Sequence, residues 1–252
     1  MVLQLDLSNN ELCGVDSCGR GTYTAEGFTA IADALRVNGG LTSLNLSENQ
    51  LCGLNAFGKG TYTAEGITAI ADALRVNGGL TALDLSSNDL KDEGVSAVCK
   101  AIQSNKETKL ASLNVEKNGI GSIGANAVAA MVAVTGGLTS LNLSSNGIGG
   151  YWDDDQETFV FTLEGPKAIA DALLVNGALT VTNLLHNQLV AESAKMLAEV
   201  AKQKGISLCG IQRDQTTADF HNKRIQPPDA ILLASDLSQA VVTGALTQVL
   251  AF

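Results

Sequence analysis

Residues 41–51 read LTSLNLSENQL and residues 80–90 read LTALDLSSNDL. In the first, Leu41, Leu44 and Leu46 fall where a short strand turns its side chains inward, while Ser43 and Asn45 alternate to the other face. Asn49 then stands where the chain must turn, and Leu51 returns it to the core.

The same frame, L-x-x-L-x-L-x-x-N-x-L, recurs as VLQLDLSNNEL from Val2, LASLNVEKNGI from Leu110, LTSLNLSSNGI from Leu138 and LTVTNLLHNQL from Leu179. ISLCGIQRDQT from Ile206 is a degraded copy with Asp214 in the Asn position, and TGALTQVLAF repeats the unit junction, giving a partial strand from 246. Start-to-start spacings are 39, 39, 30, 28, 41, 27 and 40 residues, so the expected organisation is one domain of about seven units over 1–252. Two neighbouring units are nearly identical: GTYTAEGFTAIADALRVNGG (21–40) and GTYTAEGITAIADALRVNGG (60–79) differ only at Phe28 and Ile67.

After each strand the period changes to that of a helix. Phe28, Ile31, Ala32 and Leu35 share one face, Thr24 is the expected N-cap, and Asn38-Gly39 is the expected stop through a left-handed glycine. The same grammar gives Thr63…Asn77-Gly78 and Thr162…Asn176-Gly177. Packing accounts for the core letters of the duplicated stretch, whereas its copied surface, Arg36/Arg75 and Tyr23/Tyr62 included, reads as a recent duplication that the fold does not demand.

Strand, full helix and a basic unit of under 30 residues resemble the ribonuclease-inhibitor-like class of leucine-rich repeats, which includes the Ran GTPase-activating proteins and the sensor ends of NOD-like receptors. The resemblance implies an α/β fold: a right-handed leucine-rich repeat solenoid, or horseshoe, with a parallel sheet on the concave side and helices on the convex side. It also implies a buried asparagine ladder of Asn10, Asn49, Asn88, Asn118, Asn146 and Asn187, structural in role, and a concave face used for docking. On that face the fifth repeat position gives Asp6, Asn45, Asp84, Asn114, Asn142 and Asn183. Small polar residues offer few anchors, and the monotony breaks at Val181, Leu185 and His186, so binding is expected to favour that end or the rim.

Surplus residues sit at one equivalent place, between strand and helix, in three units: 13–23, 52–62 and 149–161. Insertions at one point of a solenoid project from one rim. The third holds Tyr151, Trp152, Phe159 and Phe161, four of the chain's ten aromatics, among Asp153, Asp154, Asp155 and Glu157. Two readings stand: a hot spot for a basic protein partner, or a hairpin folded down on its own scaffold with its acids solvated. Consecutive carboxylates without the alternating Asp spacing and Gly turn do not make a calcium loop.

A net charge of −10 disfavours nucleic acid, whose phosphates demand Lys and Arg clusters, and mildly favours basic protein partners. No apolar run is long enough to span a membrane and the start lacks a signal peptide, so the expected setting is cytoplasmic with all five cysteines reduced. Two histidines, His186 and His221, no nucleophile elbow, no phosphate loop and no HExxH argue against an enzyme, and neither cofactor nor metal is expected. The small basic spot His221, Lys223, Arg224 reads as a surface loop ahead of a helix opened by Pro227-Pro228. The functional expectation is a protein–protein interaction scaffold. Two alternatives are a GTPase-regulating module and a structural segment of a longer array, whose open strands at both ends would associate end to end.

Overall fold

Every unit starts from the same local chemistry, a strand too short to stand alone and a helix with one apolar face. The computed structural model describes residues 3–16, 18–55, 58–153 and 155–250. In chain order the first half runs β1 (Leu3–Asp6), α1 (Glu26–Val37), β2 (Leu41–Asn45), α2 (Glu65–Leu74), β3 (Ala82–Asp84), α3 (Lys91–Ser104), β4 (Ser112–Asn114) and α4 (Ser122–Val134). Next come β5 (Ser140–Asn142), a hairpin of β6 (Gly150–Asp153) and β7 (Thr158–Phe161), α5 (Glu164–Val175), β8 (Val181–Asn183) and α6 (Ala191–Lys204). The last elements are β9 (Thr217–Asp219), α7 (Pro227–Leu237), α8 (Ala240–Thr243) and β10 (Gln248–Leu250).

Strands β1, β2, β3, β4, β5 and β8 lie side by side in one parallel sheet. Apart from an irregularity between Leu3 and Gln4, register is kept: Leu5, Leu44, Leu83, Leu113, Leu141 and Thr182 form one row, and Asp6, Asn45, Asp84, Asn114, Asn142 and Asn183 the adjacent row on the opposite face. Each helix packs on its neighbours, α1 on α2 through to α6 on α7. The molecule is a right-handed leucine-rich repeat solenoid with its core sealed between sheet and helices.

The ladder asparagines hold successive turns together. Asn88 Nδ2 donates to the carbonyls of Leu46, Leu85 and Ser86, and its Oδ1 accepts the amides of Asn49 and Leu51. Asn49, Asn118, Asn146 and Asn187 likewise donate to the preceding turn and are buried. Asn10 differs: it is exposed and bonds only Leu7 and Ser8 of its own turn, because β1 is the sheet's edge strand. The turns around Asn49, Asn88, Asn118 and Asn187 have left-handed residues on both sides, as in Glu48 and Gln50 or His186 and Gln188.

A second ladder runs along the helix exits, and it corrects the expected glycine stop. Gly39 and Gly78 are not left-handed, and the residue that ends α1, Asn38, is extended. The asparagine side chain does the work: Asn38 Oδ1 accepts the amides of Gly40 and Leu41. Asn77 Nδ2 then donates to Leu35 and Asn38, Asn105 Nδ2 to Leu74 and Asn77, and Asn176 Nδ2 to Val132 and Thr135. Orphan helix carbonyls of one unit are thus satisfied by the next. Gly205 alone, after α6, is a left-handed helix cap.

Thr24, Thr63 and Thr162 are also displaced from the expected N-cap role. The helices begin two residues later, and each hydroxyl accepts the first helical amide, that of Glu26, Glu65 or Glu164.

The copied surface of the duplicated stretch proves to belong to the fold. Tyr23 Oη donates to Leu51 O and accepts from Gly66 N, both one repeat on, and Tyr62 Oη donates to Leu90 O. Arg36 reaches the Asp72 carbonyl and Arg75 the Ser104 hydroxyl, each on the following helix.

The regularity fails after α6. Asp214 is exposed and holds no rung. The segment 206–210 forms no regular strand with β8, making isolated bridges at Ser207 and Cys209. Asp236 of α7, fully buried, accepts the amides of Leu208 and Cys209 and the Ser207 hydroxyl. Burial raises its pKa above the ordinary carboxylate value, and these donors partly offset it. β9 then pairs in parallel with β10 as a separate two-stranded sheet.

Candidate functional site: a rim hairpin and the cleft beside it

The fifth-unit insert folds as an antiparallel hairpin pairing Gly150 with Phe161, Tyr151 with Val160, Trp152 with Phe159 and Asp153 with Thr158. Alternation puts Trp152, Phe159 and Phe161 on one face and Tyr151 with Val160 on the other. Phe159 is half-buried, covers Gly150 and meets Phe161 edge-on at 4.9 Å. A side chain at 150 would collide with that ring, its Cβ 2.4 Å from Phe159 Cε1. Phe159 and Val160 are partly covered, whereas Tyr151, Trp152 and Phe161 are 54%, 58% and 56% exposed.

At the tip, the Asp153 carboxylate accepts the amides of Asp155 and Gln156 and forms the turn. Asp155 and Glu157 are exposed and, among the described residues, in no ion pair. Asp154 lies outside the described residues.

Phe159 and Phe161 form one wall of a cleft of about 630 Å³. Gln188, Leu189, Val190 and Ala191, leading into α6, form its floor, and Gln226, Pro228 and Asp229 at the start of α7 close the far side. Asp229 is buried and holds this corner: it accepts the amides of Gln226 and His186, the first bond completing the α7 capping box. His186 Nδ1 lies 3.4 Å from the same carboxylate, so the imidazole is fixed at the cleft wall.

Two of the candidate residues are not where the repeat frame put them. Leu185 is 5% exposed and joins the core, beside His186, whose amide is bonded to Asp229 of α7. Val181 is buried as well. The row Asp6, Asn45, Asp84, Asn114, Asn142 and Asn183 does line the concave side, but each Oδ1 accepts the amide two residues on. Asn114 also donates to Asp84, and Asn142 to Glu116. These residues are turn formers, with one acceptor atom of each committed to its own loop. The bond from the Ser8 amide holds the exposed Asp6 carboxyl below its ordinary pKa.

Among the described residues no three His, Cys, Asp or Glu side chains are placed to hold a metal. Cys13, Cys52, Cys99 and Cys209 are buried free thiols, and burial pushes the Cys52 and Cys99 thiols up to about 12. No described helix is long and apolar enough to cross a membrane. The cleft was hidden from sequence reasoning because units five, six and seven each supply part of it.

A family profile described as Leucine Rich repeat matches residues 80–99, 106–129 and 138–150. No curated protein matches the chain. Among solved structures, actin-binding site 2 of leiomodin-1 is similar with a TM-score of 0.52 at 17% identity, covering 70% of this chain and 88% of that one. The C-terminal domain of a Caenorhabditis elegans tropomodulin is similar with a TM-score of 0.53 at 13% identity, covering 70% and 92%. At these identities the likeness is one of fold: the chain is built as a leucine-rich repeat solenoid.

Proposed function

We propose that the protein is a binding scaffold of the ribonuclease-inhibitor-like kind, working in the cytoplasm, that docks another protein on the rim at units five to seven. The observation that carries this reading is the exposure of Tyr151, Trp152 and Phe161 on a hydrogen-bonded hairpin beside an apolar cleft. Aromatic side chains on a rigid support are the usual anchors of protein interfaces. The concave face plays a lesser part, since its row of small Asn and Asp side chains offers no large anchor. The leiomodin-1 structure is that of an actin-binding site, an instance of this solenoid shape serving as a docking surface. Regulation of a small GTPase draws on the resemblance alone, and no residue of the site bears on it.

The test compares cross-linked complexes formed in the native source by three chains: the unaltered protein, Trp152→Ser with Phe161→Ser, and Ser112→Arg with Ser140→Arg. The reading requires a complex lost in the hairpin variant and kept in the concave-face variant. Loss only in the concave-face variant, or no complex with the unaltered chain, would refute it.

A further inference from the structure

The shape and charge of the cleft say more about the partner. We infer that it receives a bulky apolar side chain from a protein segment whose neighbouring residues are Lys or Arg; this rests on the docking reading above. The cleft, about 630 Å³, lies within the range of pockets that enclose an organic group. Phe159, Phe161, Leu189, Val190 and Pro228 are the larger apolar part of its lining, so an apolar group seated against them is what it desolvates favourably.

The apolar surface does not stop at the cleft. Phe161 is more than half exposed while lining it, and Trp152, on the same hairpin face, continues the strip outward. A strip running out of a pocket and along a hairpin matches a polymer segment, with one side chain seated and its neighbours alongside.

Charge selects the neighbours. The hairpin tip carries Asp155 and Glu157, both exposed and, among the described residues, in no ion pair. Glu192, in the first turn of α6, adds a third carboxylate just past the floor. On the other side, Lys223 and Arg224 precede Gln226 and are exposed. The field across the cleft therefore has a direction, and basic residues of the bound segment lie over the hairpin, away from α7.

The probe is a phage-displayed library of random short peptides panned against the full chain, followed by fluorescence polarisation of the most enriched peptide. Enriched peptides should carry Trp, Phe, Leu or Met flanked by Lys or Arg. Ala191→Trp places bulk at the exposed floor position and should weaken binding about tenfold or more, the scale of a hot-spot contact. Phe161→Ser, on the opposite wall, should do the same. Asp155→Lys with Glu157→Lys should leave the apolar preference and abolish the basic one. Acidic or anchor-free peptides, no enrichment, or enrichment indifferent to both wall variants would overturn the inference. If binding resists the wall variants but is lost in Ser112→Arg with Ser140→Arg, the cleft is excluded while the molecule remains a docking scaffold.

Discussion

The hydroxyl of Tyr23 donates to the carbonyl of Leu51 at 3.0 Å, so one repeat satisfies a main-chain group of the next. The same oxygen accepts the Gly66 amide at 3.2 Å, which places it between the strand end and the helix start of the second unit. Tyr23→Phe should cost about 1 kcal/mol, the net worth of such a bond, in urea unfolding. The pH dependence gives a second readout. Burial raises the Tyr23 pKa from 10.0 to about 12, so between those values the folded chain keeps a proton that the unfolded chain has released. Its contribution to stability is present below pH 10 and is lost as pH rises towards 12. Tyr23→Phe should therefore show a shallower alkaline loss than the unaltered protein; an unchanged slope would mean that the hydroxyl ionises equally in both states.

Gly66 and Gly39 predict opposite outcomes for one chemical change. A Cβ at Gly66 would stand 2.7 Å from the Leu51 carbonyl oxygen and 2.9 Å from the Tyr23 hydroxyl, while a Cβ at Gly39 meets nothing within 4 Å. Alanine gains about 1 kcal/mol of helix propensity at Gly66, but overpacking costs about 1–3 kcal/mol and strikes backbone that cannot swing away. Gly66→Ala should be net destabilising by about 1–2 kcal/mol and Gly39→Ala neutral within about 0.5 kcal/mol. Equal midpoints for the two variants would show that the units separate more easily than this contact requires.

The asparagine ladder predicts a gradient along the chain. Asn88→Ala strands the Leu46, Leu85 and Ser86 carbonyls and the Asn49 and Leu51 amides, whereas Asn10→Ala releases only two carbonyls at an exposed edge. The first should cost about 3 kcal/mol and the second under about 1 kcal/mol. Because each unit contacts only its neighbours, amide exchange should accelerate at Asn49 and Leu51 in Asn88→Ala and stay slow around Leu184. Uniform acceleration along the chain would instead indicate a single cooperative unit.

What could be read from the sequence was whatever each unit solves by itself. Leu44 and Leu83 are buried, and Asn49 and Asn88 turn the chain, because alternation and turn chemistry act within eleven residues. Contacts between units, the asparagine ladder apart, were misread or missed. Tyr23 looked like inherited surface because its partners, Leu51 and Gly66, lie 28 and 43 residues away. The recurrent Asn-Gly at the helix ends suggested a glycine cap, whereas the asparagine spans to the previous helix through Leu35 and Asn38. At the site, the hairpin aromatics were visible as an island of Tyr, Trp and Phe, but the wall they face needed Asp229 to bring α7 against His186. Leu185 followed the repeat frame outward, and only the packing of the last units shows that it is covered.

One position in the sheet is worse than its neighbours, and it can be repaired. Thr182 occupies the row otherwise held by Leu44, Leu83, Leu113 and Leu141, is fully buried, and its Oγ1 has no hydrogen-bond partner among the described residues. A buried hydroxyl without a partner costs about 1–3 kcal/mol, and valine keeps its β-branched shape without the oxygen. Thr182→Val should raise stability by about 1 kcal/mol, read as a higher urea midpoint at unchanged m value. Because the side chain points into the core beneath β8, peptide binding at the rim should not change. A fall in stability would show that the hydroxyl contributes a bond after all, and a change in binding would show that β8 and the cleft are mechanically linked.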